Sequence, residues 1–212
     1  MFVSSFNFIV LGSALLSIVG DRPNNRTLHY IFKPATMLLL IGYVMIQGVP
    51  DNTFAYAMLV GLLFSLMGDV FLMLPKERFI EGLASFLIAH IAYIVAFYQL
   101  FDWQLTWWWA SSLAVFAVLF YSLLAKHLGS LKIPVIIYIS VIIAMVWLAG
   151  ELFWQSSDYF SSTLLVGACI FACSDSVLAW NKFKKPFKGA QWVILLTYFF
   201  AQWMLSQAIL LS

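Results

Sequence analysis

Hydrophobic positions in this 212-residue chain do not alternate with polar ones; they gather in long runs. Eight runs can be marked, at 2–20, 34–50, 53–74, 79–100, 105–125, 133–150, 159–180 and 190–211. Each approaches the roughly 20 apolar residues that a helix needs to cross a hydrocarbon core of about 30 Å. The pattern predicts an all-α, multipass transmembrane bundle of eight helices. The first run has no basic flank ahead of it and no small-residue cleavage site behind it. It therefore reads as a retained helix rather than a signal peptide. Short connections and the lack of low-complexity tracts predict a single integral membrane domain over residues 1–212.

Composition agrees. The chain is 64% hydrophobic and 9% charged, where a soluble domain carries about 25% charged residues. A soluble globule of this size could not cover so much apolar surface. The net charge of +2 lends nothing to a nucleic-acid partner; membrane lipid is the expected surrounding.

Charge placement fixes an orientation. Arg22, Arg26 and Lys33 follow the first run, Lys76 and Arg78 the third, and Lys126 and Lys132 the fifth. Lys182, Lys184, Lys185 and Lys188 follow the seventh, which completes the 11 basic residues of the chain. The other loops hold Asp51, Asp102, Glu151 and Asp158. By the positive-inside rule the basic loops are cytoplasmic and both termini lie outside. Trp103, Trp107, Trp108, Trp109 and Trp180 fall at run ends, where interfacial belts form. Cys169 and Cys173 share a helix face and read as small packing residues.

Few ionisable groups fall inside the runs: Asp69, Glu81, His90 and Asp175. A central Asp costs about 2.5–3.5 kcal/mol to insert and is a functional candidate by default. The competing reading is a polar clasp between helices. The two Asp residues look related, because GLLFSLMGD (61–69) and GACIFACSD (167–175) both place Gly eight residues before Asp and a small residue just before it. This spacing suggests a parallel four-plus-four helix duplication. Both acids fall about 8 Å short of a basic loop at 1.5 Å per residue, a depth that would suit one shared cavity. Two carboxyls in one low-dielectric pocket do not both ionise readily, so one can act as acid and the other as base. His90 reads equally as a packed core histidine. Glu81 reads as a helix-start carboxylate favoured by the dipole. Lys33 precedes Pro34, which suits a first helical turn; the Lys either snorkels to the interface or meets a phosphate there.

Several segments occur together in a known pattern. FKPATMLLL (32–40), GLLFSLMGDVFLML (61–74), FIEGLASFLIAHIAYIVAF (79–97), IPVIIYISV (133–141) and GACIFACSDSVLAWNKF (167–183) resemble the YhhN-like family of membrane proteins. Its characterised members are lysoplasmalogenases. The resemblance implies hydrolysis of the sn-1 vinyl ether of a lysoplasmalogen, giving a fatty aldehyde and glycerophosphoethanolamine or glycerophosphocholine. It implies Asp69 and Asp175 as the acid–base pair, with no metal or organic cofactor. It implies substrate-binding roles for Lys33, His90, Tyr93, Tyr138, Asn181 and Lys182, and a lysophospholipid as partner. A bacterial inner membrane, with the site toward the cytoplasm, is the expected location. Two other readings stay open: a proton-coupled lipid or solute transporter using the same acids, and a zinc amidase. The amidase is disfavoured because His29 and His127 fall in or near loops, leaving His90 as the well-buried histidine.

Overall fold

A computed structural model describes residues 2–21, 26–74, 78–102 and 105–212. Arg22, Lys76 and Trp103 lie outside the described residues. The chain forms α1 (Phe2–Gly20), α2 (Thr27–Gln47), α3 (Thr53–Met73) and α4 (Phe79–Tyr98) in its first half. The second half holds α5 (Trp107–Leu124), α6 (Lys132–Ser156), α7 (Tyr159–Ala179) and α8 (Ala190–Leu211). Among the described residues there are no strands. Seven of the helices are long and apolar enough to cross a membrane, and the described part of α1, Phe6–Gly20, is a shorter apolar helix. The protein is an integral, multi-pass, all-helical membrane protein.

Consecutive helices pair as hairpins, α1 with α2, α3 with α4, α5 with α6 and α7 with α8. The halves are joined by α2 with α8 and α4 with α6, and also by α1 and α3 with α8. Lipid is as apolar as a leucine, so helix association depends on close packing and interhelical hydrogen bonds more than on burial. Small residues provide the close packing. A Cβ at Gly61 would run into the Tyr93 ring, and one at Gly68 would lie 2.6 Å from Phe86. Gly61 and Gly68 therefore seat two aromatic rings of α4 directly against the α3 backbone. Gly150 of α6 accepts the Trp109 indole of α5 in the same way.

Three boundaries differ by four residues or more from the apolar runs, each for a visible reason. α2 starts at Thr27 rather than near residue 34, so Pro34 sits inside the helix and not in its first turn. His29 and Lys33 interrupt the apolar run, yet both are buried. Neither is a loop residue: His29 Nδ1 lies 3.2 Å from the Ser17 carbonyl, and Lys33 is paired within the bundle. α6 continues past residue 150 to Ser156. Glu151 is thus a buried helix residue rather than a loop charge, accepting from the Thr106 amide at 3.0 Å and the Trp147 indole at 2.8 Å. Ser157, at φ 50°, ends α6 and donates its amide to Phe153, a left-handed cap. Asp158 then opens α7 with a capping box on Ser161, and those hydrogen bonds hold its carboxyl below the usual carboxylate range. α7 runs on past residue 180 as a π-helical turn, Trp180–Lys184. The Lys184 ammonium lies 4.0 Å from the centre of the Trp180 ring, and Pro186 then forbids further helix. α5 gives way to two short 3-10 turns, Ala125–His127 and Gly129–Leu131.

Candidate functional site

Asp69 reaches the middle of the bundle because Gly68 beside it lets α4 come close. Its carboxylate meets two helices distant in sequence. Lys33 Nζ of α2 lies 3.1 Å from Oδ1, and the Tyr198 hydroxyl of α8 donates to Oδ2 at 2.6 Å. Asp69 is 1% exposed and Lys33 4%. Lys33 therefore neither snorkels nor faces a headgroup; it supplies the countercharge that a buried carboxylate requires.

Asp175, on α7, is also buried, and its partners differ. The Tyr138 hydroxyl of α6 donates to Oδ2 at 2.6 Å. His90 Nε2 of α4 lies 3.6 Å from the same oxygen. His90 Nδ1 lies 2.6 Å from the Phe86 carbonyl one turn earlier. Among the described residues, Nε2 has no hydrogen-bond partner, although it is fully buried.

One aromatic cluster joins the two acids. The Phe171 ring packs against His90 at 4.5 Å, Tyr198 at 5.6 Å and Tyr93 at 6.3 Å between centres. Phe86 sits edge-on to both Phe171 and Tyr198. Phe171 thus stands between the Tyr198 side of Asp69 and the His90 side of Asp175.

The surroundings of the two acids are unequal. Asp175 and Tyr138 line an apolar groove with a cavity volume of about 50 Å³. Its walls include Phe79 and Leu83 of α4, Phe116 and Phe120 of α5, Ile139 of α6 and Phe183 beyond α7. α5 forms one wall and is loosely held, with only 6% of its most apolar stretch buried. Asp69 does not line this groove. It belongs to a buried polar cluster: the Tyr198 hydroxyl that donates to it also lies 3.4 Å from the Ser65 carbonyl, and nearby the Tyr93 hydroxyl donates to Gln202 Oε1 at 2.9 Å. At the groove's Phe79 end the Lys182 ammonium stands 5.0 Å from the ring centre. Asn181 Oδ1 accepts the Phe187 amide at 3.2 Å and shapes the turn after the π-helical segment.

The sequence-predicted residues divide into two groups. Asp175, His90 and Tyr138 come together, with Lys182 and Asn181 near the groove's mouth. Asp69 and Lys33 pair on the other side of Phe171, whose ring also packs against Tyr93. Two partners escaped sequence reasoning, Tyr198 and Gln202. A weak signal was present: they are four apart in TYFFAQW (197–203) and so share one face of the helix.

The family model of the YhhN family matches residues 28–209. The chain is 26% identical over 199 residues to the membrane protein YhhN of Escherichia coli O157:H7, covering 94% of this chain and 95% of that one. It is 32% identical over 210 residues to lysoplasmalogenase TMEM86B of Sus scrofa, covering 98% and 85%. Over 187 residues it is 29% identical to lysoplasmalogenase TMEM86B of Homo sapiens, covering 86% and 75%. No solved structure matches.

Proposed function

The chain belongs to the YhhN family, and from that membership we propose that it is a lysoplasmalogenase. It hydrolyses the sn-1 vinyl ether of a lysoplasmalogen to a fatty aldehyde and glycerophosphoethanolamine or glycerophosphocholine. The observation that carries this reading is the position of Asp175, a buried acid held by Tyr138 at the wall of an apolar groove. The walls of the groove are apolar, as a single alkenyl chain requires; a second acyl chain would need space on the other side of Asp175, where the aromatic cluster stands. Lys182 lies seven residues beyond Asp175, about 10 Å along a helix. That span suits a glycerol phosphate between the reacting carbon and the ammonium. The phosphate role expected of Lys33 therefore passes to Lys182.

Vinyl ethers hydrolyse by protonation at carbon. Asp175, as the carboxylic acid, gives its proton to the vinyl carbon distal to oxygen, and the carbon next to oxygen becomes an oxocarbenium ion. Water adds there, and the resulting hemiacetal collapses to aldehyde and glycerol hydroxyl. Asp69, paired with Lys33, stays the carboxylate and stabilises the cation through space. On the same reading the protein works in a bacterial inner membrane with its site toward the cytoplasm, supported by the basic-loop pattern.

The test is aldehyde release from lysoplasmalogen by purified protein in proteoliposomes. Asp69→Asn and Asp175→Asn should each lower turnover by about 10²–10⁴-fold while keeping wild-type helicity and elution. Near-normal turnover in Asp175→Asn removes the assignment of the acid, and in Asp69→Asn that of the anion that stabilises the cation. A wild-type protein that releases no aldehyde removes the enzyme reading altogether.

A further inference from the structure

Resting on that reading, we infer that His90 is the base that takes the proton from the attacking water, and that it shares one exchangeable proton with Asp175. A carbonyl oxygen can only accept, so the 2.6 Å contact of His90 Nδ1 with the Phe86 carbonyl fixes the ring hydrogen on Nδ1. The lone pair of the neutral ring is then on Nε2. That nitrogen is fully buried, has no hydrogen-bond partner among the described residues, and faces Asp175 Oδ2 at 3.6 Å. Buried polar atoms are nearly always satisfied, and an exception asks for a functional account.

Ring rotation offers no escape. The imidazole is held at 4.5 Å by Phe171 and edge-on to Tyr138 at 5.6 Å. A lone pair on Nε2 and a fully ionised carboxylate facing each other in so dry a site would repel. The pair therefore holds one proton, as neutral imidazole with carboxylic acid or as imidazolium with carboxylate. The titratable neighbours on the packed elements are Asp175 of α7 and Tyr138 of α6, then Tyr198 of α8 and Tyr93 of α4 across Phe171. Behind Tyr198 stand Asp69 of α3 and Lys33 of α2.

This arrangement closes the proton balance. The Asp175 proton forms the new C–H bond with the vinyl π electrons, leaving a carboxylate. Water's oxygen forms the C–O bond to the oxocarbenium carbon, and its released proton goes to Nε2. Hemiacetal collapse moves the hydroxyl proton to the departing glycerol oxygen, with no net change in protons. Transfer from Nε2–H to Asp175 across the 3.6 Å gap then restores the starting state. One acid and one base thus serve every turn, and no outside proton donor is consumed.

The decisive experiment compares wild type and His90→Gln in proteoliposomes as kcat and KM against pH. Turnover of the variant should fall by about 10²-fold with KM unchanged. The acid-side decline of the wild-type profile, where the ring takes a second proton, should be absent. A second measurement is ¹⁵N-histidine NMR of the intact protein: His29, held to the Ser17 carbonyl, gives one Nδ1–H ring, and the ring whose signal is lost in His90→Gln should be a second. An unchanged acid limb, turnover within threefold of wild type, or an Nε2–H ring for His90 would overturn the inference. If wild type hydrolyses lysoplasmalogen while any of those holds, only the role of His90 fails. If wild type releases no aldehyde, the enzyme reading fails and the role of His90 with it.

Discussion

Lys33 and Asp69 are two charges that neither helix could carry into a bilayer cheaply alone. Together, with Tyr198 donating to the same carboxylate, they are tolerated. Removing one partner leaves the other buried and uncompensated, which costs about 3–5 kcal/mol. Lys33→Met should therefore lower the unfolding midpoint in detergent substantially, and Lys33→Met with Asp69→Asn should recover most of that loss. A double variant no more stable than the single one would show that the pair is not the cause. This pair also marks where residue-level reading of the sequence stops. Asp69 and Asp175 stood out because a carboxylate in an apolar run has a large cost. Lys33 was visible, but a basic residue just before the start of a run looks like an interface residue until the helix is seen to begin nearly two turns earlier. Tyr198 was hidden because a phenol in a membrane helix costs little and so attracts no notice.

At the scale of elements, α5 differs from the rest. It packs mainly on α6, through Trp109 against Gly150, and leaves most of its surface to lipid. The groove beside it follows from that seating, since a tightly packed fifth helix would fill the space in front of Asp175. The side chain at Ile139 lies on the groove wall. Ile139→Trp should lower kcat/KM for long-chain lysoplasmalogens about tenfold more than for short-chain ones, a difference within the range that apolar pocket contacts supply. Equal losses for both lengths would place the chain elsewhere. Eight apolar runs were enough to find the helices, because the length of a span is set by the bilayer. Their order around the bundle was not legible, because lipid-facing and helix-facing positions are equally apolar and the packing is decided by a few glycines and rings.

At the scale of the whole molecule, the halves correspond. Across the two halves, the α2–α8 contact is matched by α6–α4. Asp69 is met from α2 and α8, Asp175 from α6 and α4. We propose that the parallel four-plus-four duplication read from the Gly-x7-Asp spacing produced this arrangement. With eight crossings, reporters fused at the two termini should emerge on one side of the membrane, and a reporter inserted at 185–188 on the other. Termini on opposite sides would mean that one helix does not cross.

The Lys33–Asp69 contact also bears on how the chain is made. α2 and α3 follow one another after a short link at 48–52, so the two leave the translocon in quick succession. Each carries a charge that would hold it back as a solitary span, and each brings the other's neutraliser. The hairpin can partition into lipid as a unit, well before the last helix is synthesised and Tyr198 arrives to complete the set.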